Sequence, residues 1–339
     1  RCTQRLLTAA EVKSINKELD NEGMEIPKDA ACLVPTEVLQ TEHLEPPVST
    51  SDLSSIGLVG GDLHHTAKYQ TCDTAVLIAD GKGENSTFAL PIPMLPLLEN
   101  GAMLDSSEID ALASEVLAKQ PFILRENPRP LDFVMLDCKN LADAPELLTE
   151  CSGVVVDLDD FPAMNSEEID GFVVTIRTLL GMDKPVSFVN AISRVESLHV
   201  RSSYHDIDLA ISRIEDGSGI AEAAALPMIG RSTKSHLSQT KTQTGMLLGL
   251  SASGQDLAIL RASGIDVICC EVPMQDPQDL AHWLVSVNNE LTGILRRLGL
   301  DSIELLERQH LRALDYETAA ISGLRLVGYD RPLPHWFAR

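Results

Sequence analysis

The sequence has few aromatic residues and little positive charge for its length. Aromatic side chains make up 4% of the 339 residues, and 27 lysines and arginines stand against 50 aspartates and glutamates. The formal net charge is therefore −23. Because nucleic acids are bound by clustered lysine and arginine side chains, this balance argues against a nucleic-acid-binding protein. Acidity of this degree chiefly favours solubility.

A membrane-spanning run and a paired-cysteine motif are also missing. No apolar stretch reaches the roughly 20 residues that a transmembrane helix needs. The first 23 residues are charged throughout and lack the apolar core of a signal peptide. The seven cysteines are odd in number, and no two of them are separated by two residues. We therefore expect buried, reduced thiols in a cytoplasmic protein without a membrane span.

The sequence does contain an alternation of short apolar runs with helix-like segments. Runs typical of buried strands fall at residues 75–80, 122–124, 132–137, 153–159, 185–191, 207–212, 245–250 and 265–272. Such strands, separated by helices, indicate a parallel sheet covered on both faces. About eight strands predict a closed (β/α)8 TIM-type barrel. Because the second and third runs are too close for a crossover helix, a doubly wound open sheet is the alternative.

Three segments follow from this pattern. We interpret residues 1–74 as an irregular N-terminal arm, residues 75–275 as the barrel, and residues 276–339 as C-terminal helices with an aromatic tail. Within the barrel segment, the proline-rich stretch at residues 89–98 is typical of a connection rather than a strand.

The end of the chain concentrates its scarce aromatic side chains. Residues 328–339 hold Tyr329, Trp336 and Phe337 beside two prolines that disfavour a helix. Aromatic side chains are strong anchors at protein interfaces. We therefore predict that this tail docks on a partner in a homo- or hetero-oligomer, and its packing on its own barrel is the alternative.

Two glycine-containing turns follow consecutive strands in the second half of the predicted barrel. One turn comes after residues 207–212 and the other after residues 245–250. Glycine allows close backbone approach, free N–H groups at a helix N-terminus attract anions, and serine hydroxyls add donors. The predicted phosphate-binding residues are Gly217, Ser218, Gly219, Ser251, Ser253 and Gly254. Ordinary strand-to-helix turns use the same residue types and are the alternative.

Residues 166–314 resemble the FMN-binding (synthase) domain of the glutamate synthase family. The resemblance rests on the order and spacing of LAISRIEDGSGIAEAAALP, LLGLSASGQDLAILRASGIDVI and LTGILRRLGLDSIELLERQHLRAL. It implies a (β/α)8 barrel with FMN as cofactor. It also implies the reductive amination of 2-oxoglutarate to glutamate.

Several residues depart from the pattern of that family. Val189 stands where the family has a lysine that faces the flavin, and Arg213 is a candidate replacement for the lost charge. Asp216 adds a carboxylate to the glycine-rich turn, where it would repel a phosphate. Cys269 and Cys270 are adjacent, and no cysteine follows them. Because adjacent thiolates cannot supply three iron ligands, we expect no Fe–S cluster from this chain.

Three functions remain open at this point. The first, which we predict, is a divergent FMN-dependent oxidoreductase that resembles glutamate synthase, and the second, its alternative, is a barrel without catalysis that serves as a structural or regulatory subunit. The third is a flavin-free barrel enzyme that holds a sugar phosphate or nucleotide on the same turns. Asp157, Asp159 and Asp160 follow a strand at the end where barrel active sites lie. We interpret them as an exposed acidic loop and predict no metal site, with Mg²⁺ binding as the alternative.

Overall fold

The computed structural model describes residues 53, 56–58, 74–79, 85–90, 94–105, 109–181, 183–214, 220–249, 251–272, 274–300 and 302–329. Within them, three strands precede the barrel: β1 (Ile56–Leu58), β2 (Thr74–Ala79) and β3 (Asn85–Leu90). Strands β2 and β3 pair with each other antiparallel, in a sheet separate from the barrel.

Eight parallel strands then close into a barrel. They are β4 (Met94–Asn100), β5 (Ile123–Glu126), β6 (Phe133–Leu136), β7 (Gly153–Asp157), β8 (Val186–Ala191), β9 (Leu209–Arg213), β10 (Gln243–Leu248) and β11 (Val267–Glu271). Neighbours in the chain are neighbours in the sheet, and β11 pairs with β4 to complete the ring. A closed ring leaves no sheet edge, so the predicted (β/α)8 barrel is confirmed and the open sheet is excluded.

Helices follow most of the strands and cover the outside of the ring. They are α1 (Ala111–Lys119), α2 (Ala144–Leu147), α3 (Ser166–Leu180), α4 (Val195–Tyr204), α5 (Glu222–Ser232), α6 (Gly254–Ala262), α7 (Pro277–Leu298) and α8 (Tyr316–Ser322). Short 3-10 turns lie at Gly101–Asp105, Leu141–Asp143, Ile192–Arg194, Ile303–Leu305 and Arg308–His310, and a π turn at Thr233–Leu237 follows α5. A last strand, β12 (Leu311–Ala313), pairs antiparallel with β1.

The inside of the barrel is filled by aliphatic, aromatic and thiol side chains. This interior cluster consists of Leu95, Leu97, Ile123, Phe133, Met135, Val155, Val189, Leu209, Ile211, Leu247, Val267 and Cys269. Alternate residues of the same strands face outward and pack under the helices in two larger clusters. The barrel is therefore a packed core with no central channel, and any ligand site lies at its ends.

Two expectations for the first part of the barrel were wrong. The proline-rich stretch is not a connection, because β4 runs through Pro96 and buries its first five residues. Proline removes one ladder hydrogen bond, and burial of these side chains outweighs that loss. The apolar run near residue 75 lies in the β2–β3 pair instead of the barrel.

The short link between β5 and β6 contains no helix. Residues 127–132 return from one end of the barrel to the other as turn and coil. Arg129 holds this link, since its guanidinium donates to the carbonyl oxygens of Leu117 and Gln120 and to the carboxylate of Asp132. The link is thus too short for a crossover helix, as its length predicts, and the barrel closes without one.

The boundaries predicted for the arm, the barrel segment and the C-terminal segment stay a prediction. Of residues 1–74, the structure describes residues 53, 56–58 and 74. None of the helices in the described ranges has both the length and the apolar character needed to cross a bilayer.

Candidate functional site

The candidate site is the end of the barrel where the strands finish. Side chains alternate along a strand. On each strand, the residue two positions after the last member of the interior cluster therefore points to the same side as that member. Charged residues occupy this position on several strands, namely Glu99, Arg125, Asp137, Asp157, Arg213 and Glu271. The packed apolar interior is thus topped by a charged layer at the mouth, where barrel enzymes carry their active sites.

Arg213 forms the largest ion-pair network of this layer. One guanidinium nitrogen contacts the carboxylate of Asp157, and the other lies 2.7 Å from Oδ2 of Asp159. Arg194 also approaches Asp159, at 3.3 Å. Oδ2 of Asp159 also accepts the backbone N–H of Ala191 at 2.7 Å. The carboxylates of Asp157 and Asp159 therefore form ion pairs with Arg213, the candidate replacement for the family lysine.

The electrostatics of this network are set by burial. The Asp157 side chain is 1% exposed, and burial raises the pKa of this carboxyl group despite the nearby guanidinium. Burial alone would lower the pKa of Arg213, but its contacts with Asp157 and Asp159 outweigh that effect and raise it. Arg213 therefore keeps its charge, and this charge is compensated inside the protein.

A second ion pair lies on neighbouring strands of the mouth. Arg125 contacts the buried carboxylate of Asp137, and its Nε atom lies 3.4 Å from the exposed carboxylate of Glu99. Asn140 supports the pair, since its side-chain amide donates to the carbonyl oxygens of Arg125 and Met135. Sequence analysis did not identify this pair, because its members are 12 residues apart and match no short motif.

The turn after β10 is described and forms the start of α6. Ser253 is the N-cap of this helix, and its hydroxyl accepts the N–H of Asp256 at 3.2 Å. In return, Oδ2 of Asp256 accepts the N–H of Ser253 at 2.8 Å and its hydroxyl at 2.6 Å. This reciprocal pattern is a capping box, and it occupies donors that a phosphate would need.

Gly254 is also occupied, by a residue from another helix. Its backbone N–H donates to Oε2 of Glu290, in the middle of α7, at 2.9 Å. A Cβ atom at Gly254 would lie 2.5 Å from the backbone nitrogen of Leu291 and 2.7 Å from the carbonyl oxygen of Val287. The glycine therefore permits the close approach of α6 to α7.

The first part of the chain reaches this same region. The side chain of Gln255 donates to the carbonyl oxygen of Ile56 in β1 at 3.4 Å. The N–H of Leu53 donates to the carboxylate of Glu222, the first residue of α5, at 3.1 Å. The arm segment containing β1 thus crosses the N-terminal ends of two helices that follow the mouth.

The remaining predicted site residues divide between described and undescribed positions. Gly217, Ser218 and Gly219 lie outside the described residues, as does Asp216. Ser251 is half-buried in the turn before α6. The predicted phosphate-binding role of all six residues stays a prediction.

Val189 and the cysteine pair Cys269–Cys270 lie buried in the packed core. Val189 is fully buried in the interior cluster. Cys269 and Cys270 are buried, and burial raises the pKa of both thiols, that of Cys270 to about 12. A metal ligand needs the thiolate form, which this environment disfavours.

The acidic residues after β7 act as partners of arginine. Asp157 and Asp159 both contact Arg213, whereas Asp160 is exposed. Among the residues that the structure describes, no three His, Cys, Asp or Glu side chains are grouped to hold a metal ion.

In this arrangement the described residues do not fit the phosphate of FMN. The N–H groups of Ser253 and Gly254 already donate to carboxylates, and two carboxylates at one helix N-terminus repel a third anion. Arg213, the candidate replacement for the family lysine, forms ion pairs with Asp157 and Asp159.

Comparisons with known proteins find solved structures that share the fold of this chain. No family model matches the chain, and no curated protein matches it by sequence. Among solved structures, a flavocytochrome b2 mutant with benzoylformate bound has a TM-score of 0.57 and 12% identity, and covers 82% of this chain and 80% of its own. A flavocytochrome b2 double mutant with sulfite bound has a TM-score of 0.56 with the same identity and coverage. At this identity the likeness shows the (β/α)8 fold alone.

Proposed function

We propose that this chain is a non-catalytic (β/α)8 barrel that acts as a structural or regulatory subunit. The observation that carries the proposal is the pairing of Arg213 with Asp157 and Asp159. Anionic cofactors and carboxylate substrates are held by cations that are free to accept them. Here the protein's own carboxylates take that place at the mouth.

The charge balance of the chain supports this proposal. The protein carries a net charge of −23, so its overall field repels FMN phosphate and 2-oxo acids alike. Val189 fills the interior where the family has a lysine. A barrel can keep its packed core without chemistry at the mouth, because stability resides in the core and function in the loops.

A subunit role requires a surface for a partner, and the C-terminal end of the described chain offers one. This patch consists of Leu314, Tyr316, Val327 and Tyr329, each more than a third exposed. The hydroxyl groups of Tyr316 and Tyr329 lie 2.8 Å apart, with the rings edge to face. Because the patch leads directly into the aromatic tail, the proposal includes docking of residues 328–339 on a partner in a cytoplasmic oligomer.

A second candidate is an FMN-dependent oxidoreductase. The fold shared with flavocytochrome b2 over most of both chains favours it, as does the resemblance to the glutamate synthase family. If FMN bound here, it would supply hydride transfer, and its phosphate would need the turns after β9 and β10. Reductive amination of 2-oxoglutarate would be the finer form of this candidate.

Titration of the purified full-length chain with FMN distinguishes the two candidates. We expect unquenched flavin fluorescence and no retained flavin after dialysis, because both the mouth and the α6 turn are occupied. Binding of one FMN per chain, followed by its reduction by an added electron donor, would overturn the non-catalytic proposal. Flavin binding without reduction would also contradict the claim that the mouth is closed.

A further inference from the structure

The layer of helices around the barrel has a gap beside α1. The link between β5 and β6 contains no helix, and α2, the helix that follows β6, has only four residues. On its other side α1 packs against α7, where the N–H of Asp110 donates to the side chain of Gln278 at 3.0 Å. Within the described chain, the side of α1 that faces the β5–β6 link therefore has no neighbouring helix.

A groove of about 410 Å³ lies in this gap, between α1 and the β5–β6 link. Arg129 contributes to its wall, but its guanidinium already donates to two backbone carbonyls and to the carboxylate of Asp132. The rest of the lining is aliphatic except for one serine, and it includes Ile109, Leu117, Ala118, Pro130 and Leu131. Because the groove is open and its cation is already paired, it suits an apolar surface better than an ion.

The N-terminal arm contains a segment whose sequence suits this groove. Residues 8–20, TAAEVKSINKELD, lie outside the described residues, and their pattern predicts an amphipathic helix. Thr8 and Glu11 have the spacing of a capping box. Leu7 and Val12 have the spacing of the hydrophobic staple that often accompanies such a box. The sequence thus marks the start of a helix at Thr8.

This predicted helix needs an apolar surface to pack on. Val12, Ile15 and Leu19 follow each other at spacings of three and four, which places them in one stripe. Ser14 and Lys17 fall on the opposite side. A helix of about 12 residues is marginally stable in water by itself, and burial of its apolar stripe stabilises it.

The chain is long enough to bring this segment to the groove. The N–H of Leu53 donates to Glu222 at the start of α5, which follows β9, on the opposite side of the ring from β5. The 32 residues from 21 to 52 can span up to about 100 Å when extended. A domain of this length has a radius of gyration of only about 20 Å. The connection therefore reaches around the barrel.

We propose that residues 8–20 pack as a helix in the groove between α1 and the β5–β6 link, in the place of the crossover helix that is missing there. The apolar stripe of this helix covers Ala118 and Leu131, whereas Ser14 and Lys17 face solvent. The arm is thereby fixed to the outside of the barrel at a second point, besides its contacts near the mouth. This packing is independent of what the mouth binds.

Hydrogen exchange of the full-length chain tests this packing. Ile15→Asp puts a charge on the apolar stripe, and Ser14→Asp adds the same charge on the opposite side as its matched control. Ala118→Lys puts a charge into the groove at an exposed position of α1. Ala111→Lys, at an exposed position of the same helix outside the groove lining, is its control. Exchange of the amides of residues 12–20 is measured by mass spectrometry at two protein concentrations.

We expect these amides to be protected in the wild type and to exchange at least about tenfold faster in I15D and A118K, because both charges oppose the apolar packing. S14D and A111K should exchange as the wild type does. Unprotected amides in the wild type overturn the proposal, and so does a loss of protection in I15D that A118K does not reproduce. Protection that increases with protein concentration also overturns it, because the helix would then occupy the groove of a second copy.

Discussion

The guanidinium of Arg213 at the end of β9 contacts the carboxylate of Asp157 at the end of β7. One strand, β8, lies between them in the sheet. The pairing compensates the charge of Arg213 within the protein. This relationship leads to the first prediction.

Asp157→Ala should lower the free energy of unfolding by about 1–3 kcal/mol, because it removes a buried partner of a partly buried arginine. Asp160→Asn is the matched control, since Asp160 follows the same strand but is exposed. We expect a change below about 0.5 kcal/mol for it. Urea denaturation of both variants measures the difference, and equal stabilities would mean that the Arg213 network contributes nothing.

Gly254→Ala should destabilise the protein by about 2 kcal/mol or more, because the added Cβ would overlap backbone atoms of α7. Gly293→Ala, within α7, is the control. A Cβ there has open space, so the helix propensity of alanine should stabilise the fold by up to about 1 kcal/mol. Thermal unfolding of the two variants should therefore shift in opposite directions. A neutral Gly254→Ala would contradict the close contact of α6 with α7.

Asp208 should give the protein a specific pH dependence of stability. Burial raises the pKa of this carboxyl group to about 6, although it accepts the Val186 N–H and contacts Arg177. In the unfolded chain its pKa is about 3.9. Because the folded state binds this proton more tightly, the group's stabilisation is present below about pH 4 and is lost as the pH rises towards 6.

The measurement is the difference in unfolding free energy between wild type and Asp208→Asn across this pH range. We expect the wild type to lose stability relative to the variant between about pH 4 and pH 6. His199, whose pKa burial lowers to about 4, acts in the opposite direction, but it is present in both proteins and cancels in the difference. A flat difference curve would show that Asp208 has an ordinary pKa.

Removal of residues 330–339 should change the assembly state of the protein. The deletion takes away Trp336 and Phe337 and leaves the patch of Tyr316 and Tyr329 without the adjoining tail. Light scattering after size-exclusion chromatography should report a smaller assembly for the truncated chain than for the full chain. Identical masses would count against docking of the tail on a second copy.

The barrel was predictable from the sequence because buried parallel strands read as continuous apolar runs. The run at residues 153–159 corresponds to β7, and the one at 185–191 to β8. The first barrel strand, β4, was not recognised, since Pro96 and its neighbouring prolines resemble a connection. β4 is a strand because its side chains are buried in the closed barrel, and a local sequence pattern does not show that burial.

The candidate site was predictable only where its contacts are local. Ser253 was identified as a turn residue beside the start of a helix, and it is the N-cap of α6. Glu290 was not identified, because its contact with Gly254 joins positions 36 residues apart that share no motif. Arg213 was noticed as a cation, but its pairing with Asp157 depends on how strands meet in the barrel.

The most direct test of the central claim is the visible absorption spectrum of the protein purified from its own host, measured as purified and again after incubation with excess FMN and removal of the free flavin. A closed mouth predicts a colourless protein in both states. A flavin spectrum in the purified protein, at one FMN per chain, would contradict the account and make the barrel a flavoenzyme.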